Sequence, residues 1–493
     1  MRQDLARFAP ELVLSATVAL VLFADLLLKR SGRRRLVLHG LAILGVIGAG
    51  FALLLLPSGD QSIFSGMLAL DGMARFFKGL FLVVALFGIL FGTLSDEIPD
   101  ERFGEYLLLL LCLTLGLSLL SAAQNLLMIY LSLELVSLPS YILAGFRRGD
   151  KRSSEAALKY VIYGGAASGV MLYGFSLLYG LGGTLDLVGV GRYVESLASQ
   201  GWGSQLAVVA ACLFSLAGFA YKVAAVPFHM WCPDVYEGAP TPFVAFLSVG
   251  PKAAGLAALV RFFLIGFGAP SFWMMPGEFP WPLVIGVLAI ATMTLGNLVA
   301  IAQENIKRML AYSSIAHAGY MLMGVAVGTS EGVRAVMLYL GIYLAMNMGA
   351  FLAVMAVRAR IGSESISDYK GLGTRSPYLA VLLAIFLFSL VGLPPLGGFI
   401  GKFYVFAAVL HVKYKFFYFL ALVGVLNSAV SLYYYARVIR TMFLEKPDGE
   451  AASFTLAPSY GALLTVLMIP TVALGIWWKP LADAVAKMSL VVR

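Results

Sequence analysis

The sequence predicts an all-α polytopic membrane protein with about fourteen transmembrane helices, and three observations carry that expectation. The 493 residues are 60% hydrophobic and only 12% charged, whereas soluble domains carry about 25% charged residues. Apolar runs recur along the entire chain, most of them near the ~20 residues that a spanning helix needs. Two runs are too long for a plain helix and contain prolines: Pro227 in one, and Pro394-Pro395 followed by Gly397-Gly398 in the other.

In chain order the runs fall at 10–28, 36–56, 72–95, 104–122, 124–145, 154–180, 204–231, 241–266, 281–301, 308–328, 333–357, 377–411, 416–440 and 458–478. The first lacks a clear cleavage site and reads as a retained helix rather than a signal peptide. Proline removes a backbone donor and clashes with the preceding turn, so the seventh and twelfth runs should be broken helices. Such breaks survive in a bilayer only when buried in protein or beside a wet cavity. The breaks stand fourth in two consecutive blocks of five, helices 4–8 and helices 9–13. Five is odd, so the blocks must run in opposite directions, and inverted repeats with broken helices are a transporter signature. The expected organisation is residues 1–103 for helices 1–3, 104–266 for the first half, 281–443 for the second half and 444–493 for helix 14. The polar stretches 181–203, 358–376 and 445–457 read as connecting loops.

The formal net charge is +9, and the basic residues sit in short segments between apolar runs. With the N-terminus outside, the inner segments hold 19 Lys and Arg and the outer segments 9, or 11 if Arg75 and Lys78 at a helix start are included. That bias places both termini outside, on the periplasmic face of a bacterial inner membrane. It also makes the lipid bilayer, and not nucleic acid, the partner of the basic charge. Cys112, Cys212 and Cys232 form no CxxC pair, so no disulfide, zinc site or iron–sulfur cluster is expected in this chain. GGAASG at 164–169 lies within an apolar run and lacks the Lys-Ser/Thr of a phosphate loop. Its Gly165 and Gly169 have the GxxxG spacing that lets helices approach closely.

Apart from Arg308, Arg334, Arg437 and Arg440 near run ends, which are counted with the flanking segments above, seven Lys and Arg fall within the runs. Arg75, Lys78 and Lys159 lie near run starts and Arg261 near an end, where long side chains snorkel to the interface. Lys222, Lys252 and Lys402 cannot easily do so. Lys252 is twelfth in its run, about 16 Å deep at the helical rise. Lys222 precedes Pro227 by five residues, and Lys402 lies just past the Pro394–Gly398 break. A lysine at the bilayer centre costs roughly 2.5–3.5 kcal/mol even on insertion scales, and such residues mark ion and proton paths. One acid matches them: Glu134, eleventh in the fifth run within LSLELVSLPSY. Removal from water disfavours the charged form of a carboxylate and of an ammonium, and bringing the two together restores it. Glu134 and a lysine therefore make either a static ion pair or a switch between a paired state and one in which the lysine is free to lose its proton. Three lysines against one glutamate cannot all be paired. His229, in AAVPFHMWCPDVYEGAPTP, and His317, in AYSSIAHAGYM, are possible relays at neutral pH, or polar core residues satisfied by a neighbour. His39 and His411 sit at run ends and are expected to face the interface.

These residues lie in segments with a family resemblance. PFHMWCPDVYEGAPTP (227–242), Pro251-Lys252 and NIKRMLAYSSIAHAGY (305–320) resemble the segment shared by the antiporter-like subunits of respiratory complex I, membrane-bound hydrogenases and Mrp-type sodium/proton antiporters. SLVGLPPLGGFIGKFYVF (389–406) resembles the N-type members, whose broken helix carries a lysine at this point where M-type members carry a glutamate. The chain ends soon after the fourteenth run, unlike L-type members with their long lateral helix. The resemblance implies that Glu134 is the key acid of helix 5 and Lys222 the lysine of broken helix 7. It implies that Lys252 is the bridging lysine of helix 8 and Lys402 the terminal lysine of broken helix 12. Protons would load Lys222, pass to Lys252 and His317, and leave through Lys402. The chain would be a non-redox subunit of a proton-translocating NADH:quinone oxidoreductase, beside antiporter-like M and small K/J-type subunits. FMN, iron–sulfur clusters and quinone would belong to partner subunits. An Mrp-type cation/proton antiporter or a related hydrogenase subunit is the competing expectation, and co-purification with flavin- and iron–sulfur-bearing partners separates the two.

Overall fold

A computed structural model describes residues 2–28, 32–57, 59–197, 202–268, 280–447 and 453–488. Lys29, Arg30 and Arg493, three of the charges used for orientation, lie outside these residues. The long helices are α1 (Ala9–Leu27), α2 (Arg34–Leu54), α3 (Gly72–Leu94), α4 (Phe103–Ala122), α5 (Leu126–Ala144), α6 (Lys151–Gly182), α7 (Trp202–Val223), α8 (Thr241–Gly266), α9 (Trp281–Ile301), α10 (Ile306–Ala326), α11 (Ser330–Ile361), α12 (Pro377–Val391), α13 (Gly397–His411), α14 (Lys415–Leu444) and α15 (Pro458–Ile476). Twelve helices among the described residues are long and apolar enough to cross a membrane; the more polar α10 and the shorter α12 and α13 stand outside that number. Beyond the helices the described residues form one small antiparallel hairpin, Gln61–Ile63 with Leu68–Leu70, in a segment where the sequence shows no strand pattern.

Helix starts follow short polar residues that satisfy otherwise unpaired N–H groups. Asp71 accepts from Ala74 N at 2.8 Å before α3, Asn125 from Leu127 N at 3.0 Å before α5, and Asn305 from Arg308 N at 3.1 Å before α10. Both expected breaks are present. α7 stops at Val223, Ala224 adopts φ 61°, and a new short helix runs from Trp231 to Gly238. α12 stops at Val391, Gly392 adopts φ 91°, and α13 begins at Gly397. The loop expected at 181–203 contains a helix, Leu187–Leu197, and the C-terminal segment adds Lys479–Ala486.

The most enclosed helices are α8 and α11, whose apolar windows are 100% and 94% buried, against 28% for α1 and α2. Polar residues on α8 and α11 are therefore surrounded by protein, not lipid. Two of the charges expected to snorkel do not. Lys78 is buried on α3 and meets the buried Glu11 of α1 at 2.7 Å. Arg261 is fully buried, grips Asp71 with bonds of 2.9 and 2.7 Å and donates to Ser121 O at 2.6 Å. In each case an acid from a distant part of the chain supplies a partner that run position alone does not reveal. Arg75 and Lys159 fit the expectation: Arg75 donates to the carbonyls of Leu56 and Pro57, and Lys159 meets Asp234 and Glu155, each at 2.7 Å. On the other face, Glu97 binds Arg147 (3.3 Å), Arg358 (3.4 Å) and Thr241 N (2.9 Å). Burial alone would raise the Glu97 carboxyl, but Lys307, Arg358 and the Thr241 bonds outweigh it and hold it below the usual range.

Candidate functional site

Lys222 is the penultimate residue of α7 and is 1% exposed. Its ammonium donates to Ser137 Oγ at 3.1 Å, and that hydroxyl donates in turn to Leu133 O at 2.7 Å. Ser137 lies one turn after Glu134 on α5, so acid and hydroxyl share a helix face. No ion pair joins Glu134 to Lys222 among the described residues. Glu134 Oε1 is buried without a hydrogen-bond donor, and its charge acts on Lys222 across space. The acid and the lysine therefore stand apart rather than in a static ion pair.

Lys252 sits next to Pro251 in α8; Pro251 has no N–H, which leaves the Leu247 carbonyl without its helical donor. The ammonium donates to Ser314 Oγ of α10, lies 5.7 Å from the Tyr236 ring, and shares Ser314 with the Tyr236 hydroxyl at 3.2 Å. One turn beyond, Gly255 lets α7 and α8 meet: a Cβ there would lie 3.0 Å from Val223 Cγ1 and 3.3 Å from Lys222 Cβ. The two lysines thus flank one close-packed seam.

His317 follows Ser314 by one turn of α10. Its Nδ1 lies 2.6 Å from Tyr339 Oη of α11 and its Nε2 3.4 Å from Tyr435 Oη of α14, which also meets Ser313 Oγ at 2.5 Å. Lys252 and Lys402 both act electrostatically on the imidazole. Lys402, in the second turn of α13, donates to Val391 O at 2.7 Å and Ser428 Oγ at 3.0 Å and sits 4.6 Å over the Tyr320 ring. Val391 is the last residue of α12, and a helix end leaves its carbonyls without intrahelical partners. The break itself therefore supplies the acceptor. Gly392 makes the fit possible, because a Cβ there would lie 3.0 Å from Lys402 Cδ.

Lys252, His317 and Lys402 are thus gathered along one face of α10, through Ser314, His317 and Tyr320. Lys222 and Glu134 form a second group at the α5–α7–α8 junction. His229 stands apart: it lies in the turn after Pro227, its Nδ1 makes no hydrogen bond, and no bond among the described residues joins it to the lysines or His317. None of the three lysines has an Asp or Glu within ion-pair distance among the described residues; hydroxyls and one carbonyl hold them. Sequence reasoning passed over Ser137, Ser314, Ser428, Tyr320, Tyr339 and Tyr435. Their only signal is a hydroxyl in the middle of an apolar run. No group of three or more His, Cys, Asp or Glu that could hold a metal ion occurs among the described residues.

Residues 123–429 match the family model described as NADH:quinone oxidoreductase/Mrp antiporter, TM. The chain is 48% identical to the NADH-quinone oxidoreductase subunit N of Anaeromyxobacter sp. over 488 residues, covering 96% of this chain and 94% of that one. It is 42% identical to the NAD(P)H-quinone oxidoreductase subunit 2 of Thermosynechococcus vestitus, covering 97% and 91%. Its fold superposes on a chain of respiratory complex I from Thermus thermophilus with TM-score 0.78 and 32% identity over 97% of this chain and 99% of that one. A chain of the Mrp complex from Dietzia sp. shares the fold, with TM-score 0.80 at 21% identity over 97% and 96%. The expected resemblance holds over nearly the whole length: this chain belongs to the NADH:quinone oxidoreductase/Mrp antiporter family of membrane subunits, among the relatives called NADH-quinone oxidoreductase subunit N.

Proposed function

We propose that this chain is the proton-translocating, non-redox membrane-arm subunit N of an NADH:quinone oxidoreductase, and that Glu134, Lys222, Lys252, His317 and Lys402 are its relay. The observation that carries the proposal is the neutrality of the groups holding the lysines. A carboxylate in contact would lock each proton in place, whereas hydroxyl and carbonyl dipoles hold the ammonium and still let it deprotonate. Along α10, Ser314, His317 and Tyr320 place exchangeable or polarisable groups at one-turn intervals between Lys252 and Lys402.

In this reading a proton enters at Lys222 and crosses the Gly255 seam to Lys252. It then moves through Ser314 and His317 toward Lys402, with water or side-chain swings bridging the steps that lack a direct bond. Glu134 sets the occupancy of Lys222: approach holds the proton and withdrawal releases it. The work comes from quinone reduction in partner subunits that carry FMN and iron–sulfur clusters, and M-type and K/J-type subunits are the neighbours in the membrane. The spans form two inverted halves, 104–266 and 281–443, between residues 1–103 and 444–493, with α12 and α13 as one broken crossing and fourteen crossings in all. His229 is outside the relay or joins it only through water. Both termini face the periplasm of a bacterial inner membrane, and failure of an impermeant reagent to label a terminal cysteine in spheroplasts would reverse that orientation.

The test is Lys222→Ala in the assembled complex. Proton pumping by vesicles and coupled quinone reduction are expected to fall together while assembly persists. Parental pumping in that variant would remove Lys222 from the relay.

A further inference from the structure

Asn297 of α9 and Asn427 of α14 are buried amides that the relay described above does not use. Each sits beside an exposed apolar residue, Leu298 and Leu426. An amide taken out of water at such a place costs free energy unless it is hydrogen-bonded. Here each amide has partners for both its nitrogen and its oxygen. Asn427 Nδ2 donates to Val423 O at 3.0 Å and to Thr294 Oγ1 at 3.1 Å. Asn297 Nδ2 donates to Asn427 Oδ1 at 3.2 Å and to the Tyr320 hydroxyl at 3.1 Å, and Tyr434 Oη donates to Asn297 Oδ1 at 3.0 Å.

The directions of these bonds are forced. A backbone carbonyl only accepts, so Val423 O fixes which end of the Asn427 amide is nitrogen. The Asn427 oxygen then faces Asn297, which must answer with its nitrogen, and the same nitrogen reaches the Tyr320 oxygen. The helix register is equally tight. A Cβ at Gly296 would lie 2.7 Å from Ala316 N, and one at Gly319 would lie 2.6 Å from Met293 N, so α9 and α10 meet backbone to backbone directly beside Asn297 and Tyr320. The network ends at two of the contacts of Lys402. The Tyr320 ring is the face 4.6 Å from Lys402 Nζ, and Ser428, the residue after Asn427, accepts from Nζ at 3.0 Å.

We infer that Asn297 is a positioning residue for Lys402: its amide pins the Tyr320 phenol so that the ring faces the ammonium, and Asn427 orients that amide. The inference rests on the relay proposed above, in which Lys402 hands the proton on. The quadrupole of a ring face attracts a cation and offers far less to the neutral amine. The orientation of the ring therefore sets how firmly Lys402 holds its proton, with no carboxylate to lock it in place. The other titratable groups around Lys402 are His317 of α10, Tyr339 of α11, against which Gly401 packs, and Tyr435 of α14, which meets His317. The remaining neighbours of α13, α12 and α15, contain no Asp, Glu, Lys, Arg or His. No bond among the described residues joins Asn297 to His317, Tyr339 or Tyr435, so its direct link to the lysine is the Tyr320 phenol.

The test is Asn297→Leu, Tyr320→Leu and the double variant in the assembled complex, with proton pumping and coupled quinone reduction followed against pH. Each single variant should move the alkaline limb of the profile toward acid by about one unit, a tenfold loss of proton affinity, the scale of a cation–π contact away from water. The double variant should match Tyr320→Leu, because two residues that act through one contact are not additive. Reduced assembly with an unmoved profile, or shifts that add in the double variant, would overturn the inference and leave Asn297 a packing residue. Asn427→Ala removes the acceptor that orients Asn297 and should give a smaller shift of the same sign. It supplies the reading if Asn297→Leu does not assemble, and an unmoved profile there would equally overturn the inference. Parental pumping in Lys402→Ala would instead count against the relay, so the two failures are distinguishable.

Discussion

The two breaks in the chain place their lysines in opposite settings. At 224–230 the lysine comes before the break, at the end of α7, and rests on a hydroxyl of α5 with the Glu134 carboxylate one turn from that hydroxyl. At 392–396 the lysine comes after the break, in α13, and rests on the Val391 carbonyl freed by the break, on Ser428 and on the Tyr320 ring. The first lysine has a titratable charge within electrostatic reach but not in contact, so its proton affinity changes when that charge moves. The second rests on a carbonyl, a hydroxyl and a ring face, and the titratable group within its electrostatic reach is the His317 imidazole, not a carboxylate. A site tuned by an acid suits loading and one facing a relay imidazole suits hand-on, which is the order of the proposed path.

The comparison is broken most directly at Lys402. Lys402→Ala and Lys402→Arg are both expected to reduce coupled turnover, by roughly 100-fold if the lysine is a true transfer group. Arginine keeps the positive charge but holds its proton at any accessible pH. Near-parental turnover in Lys402→Arg would make the charge structural and return the second break to a packing role.

A smaller loss is expected at the tunable site. Glu134→Gln keeps the shape and removes the charge, and a change of one unit in lysine affinity corresponds to about 1.4 kcal/mol, or tenfold. Glu134→Asp should be milder. Equal pumping by Glu134→Gln and the parent, measured with a pH-sensitive dye in inverted vesicles, would end the idea that the acid tunes Lys222.

The hydroxyls sharpen the contrast further. Ser137→Ala takes away the one direct partner of Lys222 among the described residues, while Ser428→Ala leaves Lys402 on the Val391 carbonyl. A hydrogen bond to a charged group contributes about 1.5–3 kcal/mol, so Ser137→Ala should slow pumping more than Ser428→Ala. The reverse order would show that the backbone carbonyl is not what holds Lys402.

The smallest effect on transport is expected where burial of charge is static. Asp71→Asn leaves Arg261 without its full partner, and breaking a buried pair costs about 3–5 kcal/mol. Assembly and thermal stability should fall, but pumping per assembled complex should match the parent. A pumping defect without a stability defect would place the Asp71–Arg261 pair on the proton path.

Much of this molecule is legible in its apolar runs, because a bilayer imposes a length and a composition on every crossing. The run 241–266 became α8 with the same ends despite Pro251, and the two overlong runs are broken around Pro227 and Pro394-Pro395. Lys222, Lys252, Lys402 and Glu134 stand out because a charge deep in an apolar run is costly enough to need a reason. The histidines were less legible. His317 is held by Tyr339 and Tyr435, whereas His229, with an equally polar side chain beside a break, makes no comparable bond through Nδ1.

By itself the sequence determined the class of protein, the places where helices must break and the buried charges that stand out in their runs, since each of these follows from the local cost of polar groups in hydrocarbon. Only the tertiary structure decided which groups meet. Lys78 and Arg261 looked able to reach water but are paired with Glu11 and Asp71, acids distant in the chain or remote from the run. Glu134 looked like a partner for Lys222, yet Ser137 took that place. Partner choice depends on how neighbouring helices are rotated and how closely small residues such as Gly255 let them approach. That information is shared among several helices and is carried by none of them alone.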